Sequence, residues 1–138
     1  MDSGYLNGYV QKDEHGQYSG VLRVEGIDLS PISAVYFKHE GSTFLWLKRK
    51  AIMEYDMESQ SYTTRHRRPS FEAYLKKTVS DGAVAYKGEF VFLRFKFSII
   101  GVWDKTLGKD RQRLNLYVER LPMSKQTIIN NINKRKPN

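Results

Sequence analysis

Glu54, Asp56 and Glu58 in AIMEYDME, with Lys48 and Lys50 just upstream, form the pattern in this chain with the clearest bearing on catalysis. Metal-dependent nucleases need only a few carboxylates beside a lysine, because the acids hold the ion and the ammonium steadies developing charge. The same alternation has a simpler use, in which Met53, Tyr55 and Met57 take the buried face of a half-buried strand and the acids its solvated face. The simpler use is the expectation here. His15, His39 and His66 lie far apart, at no metal-ligand spacing. Walker-type loops, GxGxxG and GxSxG are missing from the sequence, and the absence of cysteine excludes disulfides, thiolate nucleophiles and Cys-based zinc sites. A non-catalytic protein with no metal or cofactor is the expectation.

Basic and aromatic residues carry the stronger signal. The net charge is +8, and it is unevenly spread: residues 1–40 hold 3 basic and 6 acidic groups, residues 41–138 hold 20 and 9. Two clusters stand out, LKRKA with Lys48, Arg49 and Lys50, and TRHRRPS with Arg65, Arg67 and Arg68. If the stretches 51–57 and 61–66 pair as a hairpin, both clusters fall at the same end of it, where they can form a groove for phosphates. Short basic runs are also common as plain solvated loops.

The stretch EFVFLRFKFSIIGVWD alternates large apolar groups with Arg94 and Lys96. Read as one strand paired with RLNLYVERL, it buries Val91, Leu93, Phe95, Phe97 and Ile99 against Leu114, Leu116 and Val118. A four-residue loop from Lys105 to Gly108 then sets Phe97 opposite Leu116, Lys96 opposite Tyr117 and Arg94 opposite Glu119. The outer face would carry Phe90, Phe92, Arg94 and Lys96, joined by Arg111, Arg113 and Tyr117. Rings that stack on bases beside cations that meet phosphates make a single-stranded nucleic-acid platform. The competing reading places Phe90 and Phe92 beneath a helix or another sheet.

Stepping outward to the elements, period-two patterns dominate: 5–11, 18–27, 33–39, 43–49, 51–57, 61–66, 83–87, 89–103 and 113–121. HEGS and MESQ suit short hairpin loops. PSFEAYLKKT, with Ser70 as a cap, reads as a short helix over 70–77, although Phe71, Ala73 and Leu75 also fit a strand. LPMSKQTIINNINKRK reads as a C-terminal helix capped by Ser124 and docked by Ile128, Ile129 and Ile132. The 14 residues from Phe90 to Trp103, at about 3.3 Å each, would extend about 46 Å, more than the roughly 37 Å width of a compact domain this size. The strand must therefore bend, with Gly101 the candidate position.

Those elements define the fold class: all-β, mainly antiparallel, a partly closed barrel or strongly bent sheet of 7–9 strands with one or two short helices, the last at the C-terminus. Residues 1–132 form a single domain and 133–138 a frayed basic tail. A secretory leader and an apolar run of about 20 residues are both missing, so a cytoplasmic protein without a membrane partner is expected. Two functions remain: nucleic-acid binding through a basic, aromatic strand face, or an interaction module whose exposed aromatics dock another protein or a second copy of the chain.

Overall fold

A computed structural model describes residues 6–107 and 112–122. Among them run eleven strands: β1 (Gly8–Lys12), β2 (Tyr18–Val24), β3 (Ile27–Asp28), β4 (Ile32–His39), β5 (Ser42–Arg49), β6 (Ile52–Asp56), β7 (Ser61–Arg65), β8 (Glu72–Ser80), β9 (Ala83–Phe92), β10 (Phe95–Trp103) and β11 (Arg113–Arg120). Eight of these close an antiparallel barrel in the order β1-β11-β10-β9-β8-β5-β4-β2, with β2 pairing back onto β1 and the short β3 fringing β2. Closure removes the open edges that a bent sheet would leave. The seam depends on two glycines: a Cβ at Gly8 would overlap the Val21 carbonyl oxygen, and one at Gly20 the Tyr9 carbonyl oxygen.

Inward alternates fill the barrel. Val10, Leu22, Ile32, Leu45, Leu47, Leu75, Phe97, Ile99, Leu114 and Leu116 are fully buried, and among the described residues the core holds no buried polar or charged residue. An eight-stranded barrel is just wide enough for its own side chains to fill. One end is closed by Tyr18, Tyr36, Tyr86 and Trp103, with ring centroids 5.5–6.3 Å apart. Burial there, together with the Tyr86 hydroxyl, pushes the Tyr36 phenol well above its ordinary range, so the Tyr36 hydroxyl stays protonated. The other end is packed by Phe71, Phe90 and Phe97, the last two stacked at 5.3 Å.

Three expectations are corrected. Residues 89–103 are two strands, β9 and β10, reversed at Leu93–Arg94, whose φ angles of 52° and 71° form a two-residue turn. The reversal answers the length problem that the bend at Gly101 was meant to solve. It also changes parity: Phe92 faces Phe95 and Phe90 faces Phe97, so all four rings point inward while Val91 and Leu93 are exposed. Next, β10 pairs with β11 four residues away from the expected register, with Phe97 opposite Arg120, Ile99 opposite Val118 and Ile100 opposite Tyr117. The even shift keeps the same side chains inside. Its cause is a longer connection, since β10 ends at Trp103 and Asp104 opens the turn by accepting from the Thr106 N–H and hydroxyl at 3.0 and 2.6 Å.

Finally, residues 72–80 form strand β8, because Phe71, Ala73 and Leu75 alternate into the core. The expected C-terminal helix and the tail 133–138 lie outside the described residues. Strands β6 and β7 pair as expected, Ile52 opposite Arg65 and Tyr55 opposite Tyr62, but form a separate two-stranded sheet exposed on both faces. This arm leaves the barrel between β5 and β8, at the phenylalanine-packed end.

Candidate nucleic-acid interface

Antiparallel topology sets the ends of β5 and β9 beside the starts of β8 and β10, and this gathers most of the cations named from the sequence at the arm end of the barrel. Lys48 lies on the outer face of β5, its ammonium 4.3 Å from the Trp46 ring centre. Arg49 turns the other way: its guanidinium donates to the carbonyls of Pro69 at 2.7 Å and Asp28 at 2.9 Å. Burial, then the neighbouring Arg67, lowers the Arg49 pKa. Arg67 itself donates to the Ser30 carbonyl. These two arginines tie the arm's base to the β3–β4 connection, a structural use that removes them from any open phosphate groove.

Lys50 follows β5, Arg68 is exposed in the loop before β8, and Arg65 pairs with Glu54 at 3.3 Å across the arm. Arg94 occupies the β9–β10 turn, and Lys96 pairs with Glu89 at 3.1 Å. Arg113 sits elsewhere, over the Tyr9 ring at 4.3 Å and bonded to the Gln11 side chain at 2.9 and 3.1 Å. Tyr117 is half-buried on the outer face of β11, and Arg111 lies outside the described residues. Phe90 and Phe92 are 6% and 4% exposed and belong to the core, so the aromatic face expected on 89–96 does not exist.

An aromatic and cationic face does exist on the next strands of the barrel, β8, β5 and β4. Registers align Val35 with Trp46 and Tyr74, and Phe37 with Phe44 and Lys76, the latter opposite Lys87 on β9. All these side chains point away from the barrel, because their neighbours Ala34, Leu45, Leu47, Ala73 and Leu75 point in. Phe37 and Phe44 stack at 5.4 Å, Tyr74 meets Phe37 edge-on at 5.9 Å, and Trp46 and Tyr74 lie parallel at 6.0 Å, 7° apart. One carboxylate fixes the last pair: Glu72 Oε1 accepts from Trp46 Nε1 at 2.7 Å and from the Tyr74 hydroxyl at 3.0 Å. The bond to Glu72 raises the Tyr74 pKa and keeps the phenol protonated.

Chemically this face offers flat rings held in fixed orientation, with Lys48, Lys76 and Lys87 around them. It can stack planar groups and attract anions. Sequence reasoning passed over it, yet the signal was present: HEGS fixes Phe37 opposite Phe44, and parity then sends Phe37, Phe44 and Trp46 to the face opposite Leu45 and Leu47.

The acids considered for a metal serve structural ends. Glu54 pairs with Arg65, and Asp56 accepts from the Glu58 N–H at 3.0 Å and the Ser59 hydroxyl at 3.1 Å. Among the described residues no group of three His, Asp or Glu converges on a metal-sized site, and no helix is long and apolar enough to cross a membrane. Comparisons with protein-family models, with curated proteins and with solved structures return no significant match. The class defined by the coordinates alone is an eight-stranded antiparallel barrel with an aromatic outer face and a projecting arm.

Proposed function

We infer that the protein is a cytoplasmic, non-catalytic binder of single-stranded nucleic acid, which it holds on the outer face of β4, β5 and β8. The observation that carries this reading is the set Phe37, Phe44, Trp46 and Tyr74 flanked by Lys48, Lys76 and Lys87. Tyr74 is exposed and Phe37, Phe44 and Trp46 are half-buried; bases stack on accessible ring faces with little regard to sequence, and lysines follow the phosphates. A duplex hides its base faces, so rings on a convex barrel wall favour the single strand. Arg68, exposed in the loop before β8, and Arg94, in the β9–β10 turn, add positive charge at the arm end of the barrel.

Anisotropy titrations of labelled single- and double-stranded oligonucleotides at several salt concentrations test this. Single strands bind more tightly, and the logarithm of affinity falls with the logarithm of salt by about 0.7 per phosphate neutralised. Trp46→Ala together with Tyr74→Ala weakens binding by about 1–3 kcal/mol per lost stack while leaving the salt slope unchanged. Lys76→Glu with Lys87→Glu lowers the slope. Wild-type protein that binds no oligonucleotide at low salt would falsify the reading.

A further inference from the structure

The arm is the least explained part of the molecule. A two-stranded hairpin is at best marginally stable in water, and among the described residues β6 and β7 receive no third strand. Its apolar groups are nonetheless large and open: Met53 is 61% exposed, Met57 79% and Tyr62 68%. Met53 and Tyr55 share one face with Tyr62, whose ring lies 5.2 Å from that of Tyr55, and Met57 stands in the turn that follows β6. An exposed apolar surface of this kind, on a compact barrel that has already buried its core, marks a docking element.

Charge indicates the occupant. Residues 52–65 carry Glu54, Asp56 and Glu58 against Arg65 alone, a net of −2 on a chain of net +8. Glu54 is matched by Arg65, which leaves Asp56 and Glu58 as the charges of the arm's tip. The aromatic face of the barrel has the complementary make-up: rings of Phe37, Phe44, Trp46 and Tyr74 with Lys48, Lys76 and Lys87 around them. Thioethers pack well against aromatic rings, and carboxylates set beside lysines give the contact its orientation.

We propose that the chain self-associates, the acidic Met- and Tyr-bearing arm β6–β7 of one copy docking on the aromatic and lysine-bearing face of β4, β5 and β8 of a second copy. Two such contacts related by a twofold axis close a dimer. The contact does not depend on nucleic acid, although both ligands would claim the same rings and lysines. Each would then exclude the other.

Sedimentation equilibrium of the nuclease-treated full chain, from micromolar to submillimolar concentration, provides the test. Two folded surface variants, Asp56→Lys with Glu58→Lys in the arm and Lys76→Glu with Lys87→Glu on the face, are run alone and mixed. The wild type associates, each variant alone is weakened about tenfold or more, the scale of losing a hot spot, and the mixture regains association through the exchanged charges. Met57→Glu, at a position that contributes nothing to the core, weakens association similarly without lowering the melting temperature. A wild type monomeric throughout overturns the proposal. So does association that persists in both variants, or a mixture that stays monomeric. Failure of oligonucleotide binding would leave this result untouched, which keeps the two readings separable.

Discussion

The hairpins β6–β7 and β9–β10 are built from similar alternating sequence and end in opposite circumstances. In β9–β10, β8 flanks one side and β11 the other, and the inward alternates Tyr86, Phe90, Phe92, Phe97 and Ile99 are all buried. In β6–β7 no other described strand flanks either side, and the equally clean alternation of Met53 and Tyr55 against Glu54 and Asp56 buries nothing. Alternation is a property of the pleat and identifies a strand. Whether one of its faces is buried is decided by which other strands it meets, and that information lies elsewhere in the chain.

The largest expected effect separates the two hairpins by stability. Ile99→Ala, in β10, removes a fully buried side chain and lowers unfolding free energy by about 2–5 kcal/mol. Met57→Ala in the arm changes it by less than about 0.5 kcal/mol, since the side chain loses no packing in the single copy. Urea unfolding of dilute protein followed by the near-ultraviolet signal compares them. Equal losses would mean that the arm belongs to the barrel's cooperative unit and would break the comparison.

Much of the barrel could be read from the sequence for the same reason that the arm could not. Strand existence, antiparallel class, the HEGS and MESQ hairpins and the inward set Phe97, Ile99, Leu114 and Leu116 follow from period two, and an even slip in register leaves that set unchanged. The Leu93–Arg94 reversal could not be found, because two bulky side chains stand where a type I′ turn would ordinarily hold Asn and Gly. That one missed turn moved Phe90 and Phe92 from core to surface and drew attention to the wrong face. The rings on β4, β5 and β8 required pairing across three strands, and Tyr74 was hidden by the helical spacing of Phe71, Tyr74 and Leu75. Conversely, Arg49 and Arg67 resemble phosphate ligands in sequence and serve as ties to backbone carbonyls in the fold.

The turns give a second, smaller contrast. Leu93 and Arg94 both hold left-handed backbone conformations, in an exposed turn that joins two barrel strands, and each costs about 1 kcal/mol there relative to Asn or Gly. Leu93→Asn with Arg94→Gly is expected to raise global stability by about 1 kcal/mol, a smaller change than the sum because the replaced side chains also lose their own contacts. In the arm Gln60 has φ of 53°, and Gln60→Gly relieves comparable local strain but leaves the global unfolding free energy unchanged within about 0.5 kcal/mol. Chemical denaturation read by amide hydrogen exchange in β10 and in the arm sharpens the comparison. A global gain from Gln60→Gly would join the arm to the barrel.

Acid provides the smallest effect, and it acts on the barrel's connections. Asp13 is held below the ordinary aspartate range first by the Gln17 N–H, Asp28 first by the Ser30 hydroxyl and then by its N–H, and Asp104 first by the Thr106 hydroxyl and then by its N–H. In each case the folded pKa lies below the unfolded one. The stabilisation is therefore complete above the unfolded value of about 3.9 and is lost as pH falls through the lower folded values. Asp13 and Asp28 are exposed and Asp104 is half-buried at the surface, so solvent screens these contacts and the fall in melting temperature below about pH 4 is shallow. Asp104→Asn removes one titrating group and makes it shallower still, while the same variant loses a little stability at neutral pH, where the wild-type carboxylate accepts both Thr106 bonds. Calorimetric scans from neutral pH into acid measure both. A variant with the wild-type acid slope would mean that the Asp104 turn frays at no cost to the barrel, and would place the β10–β11 connection with the arm, outside the cooperative unit.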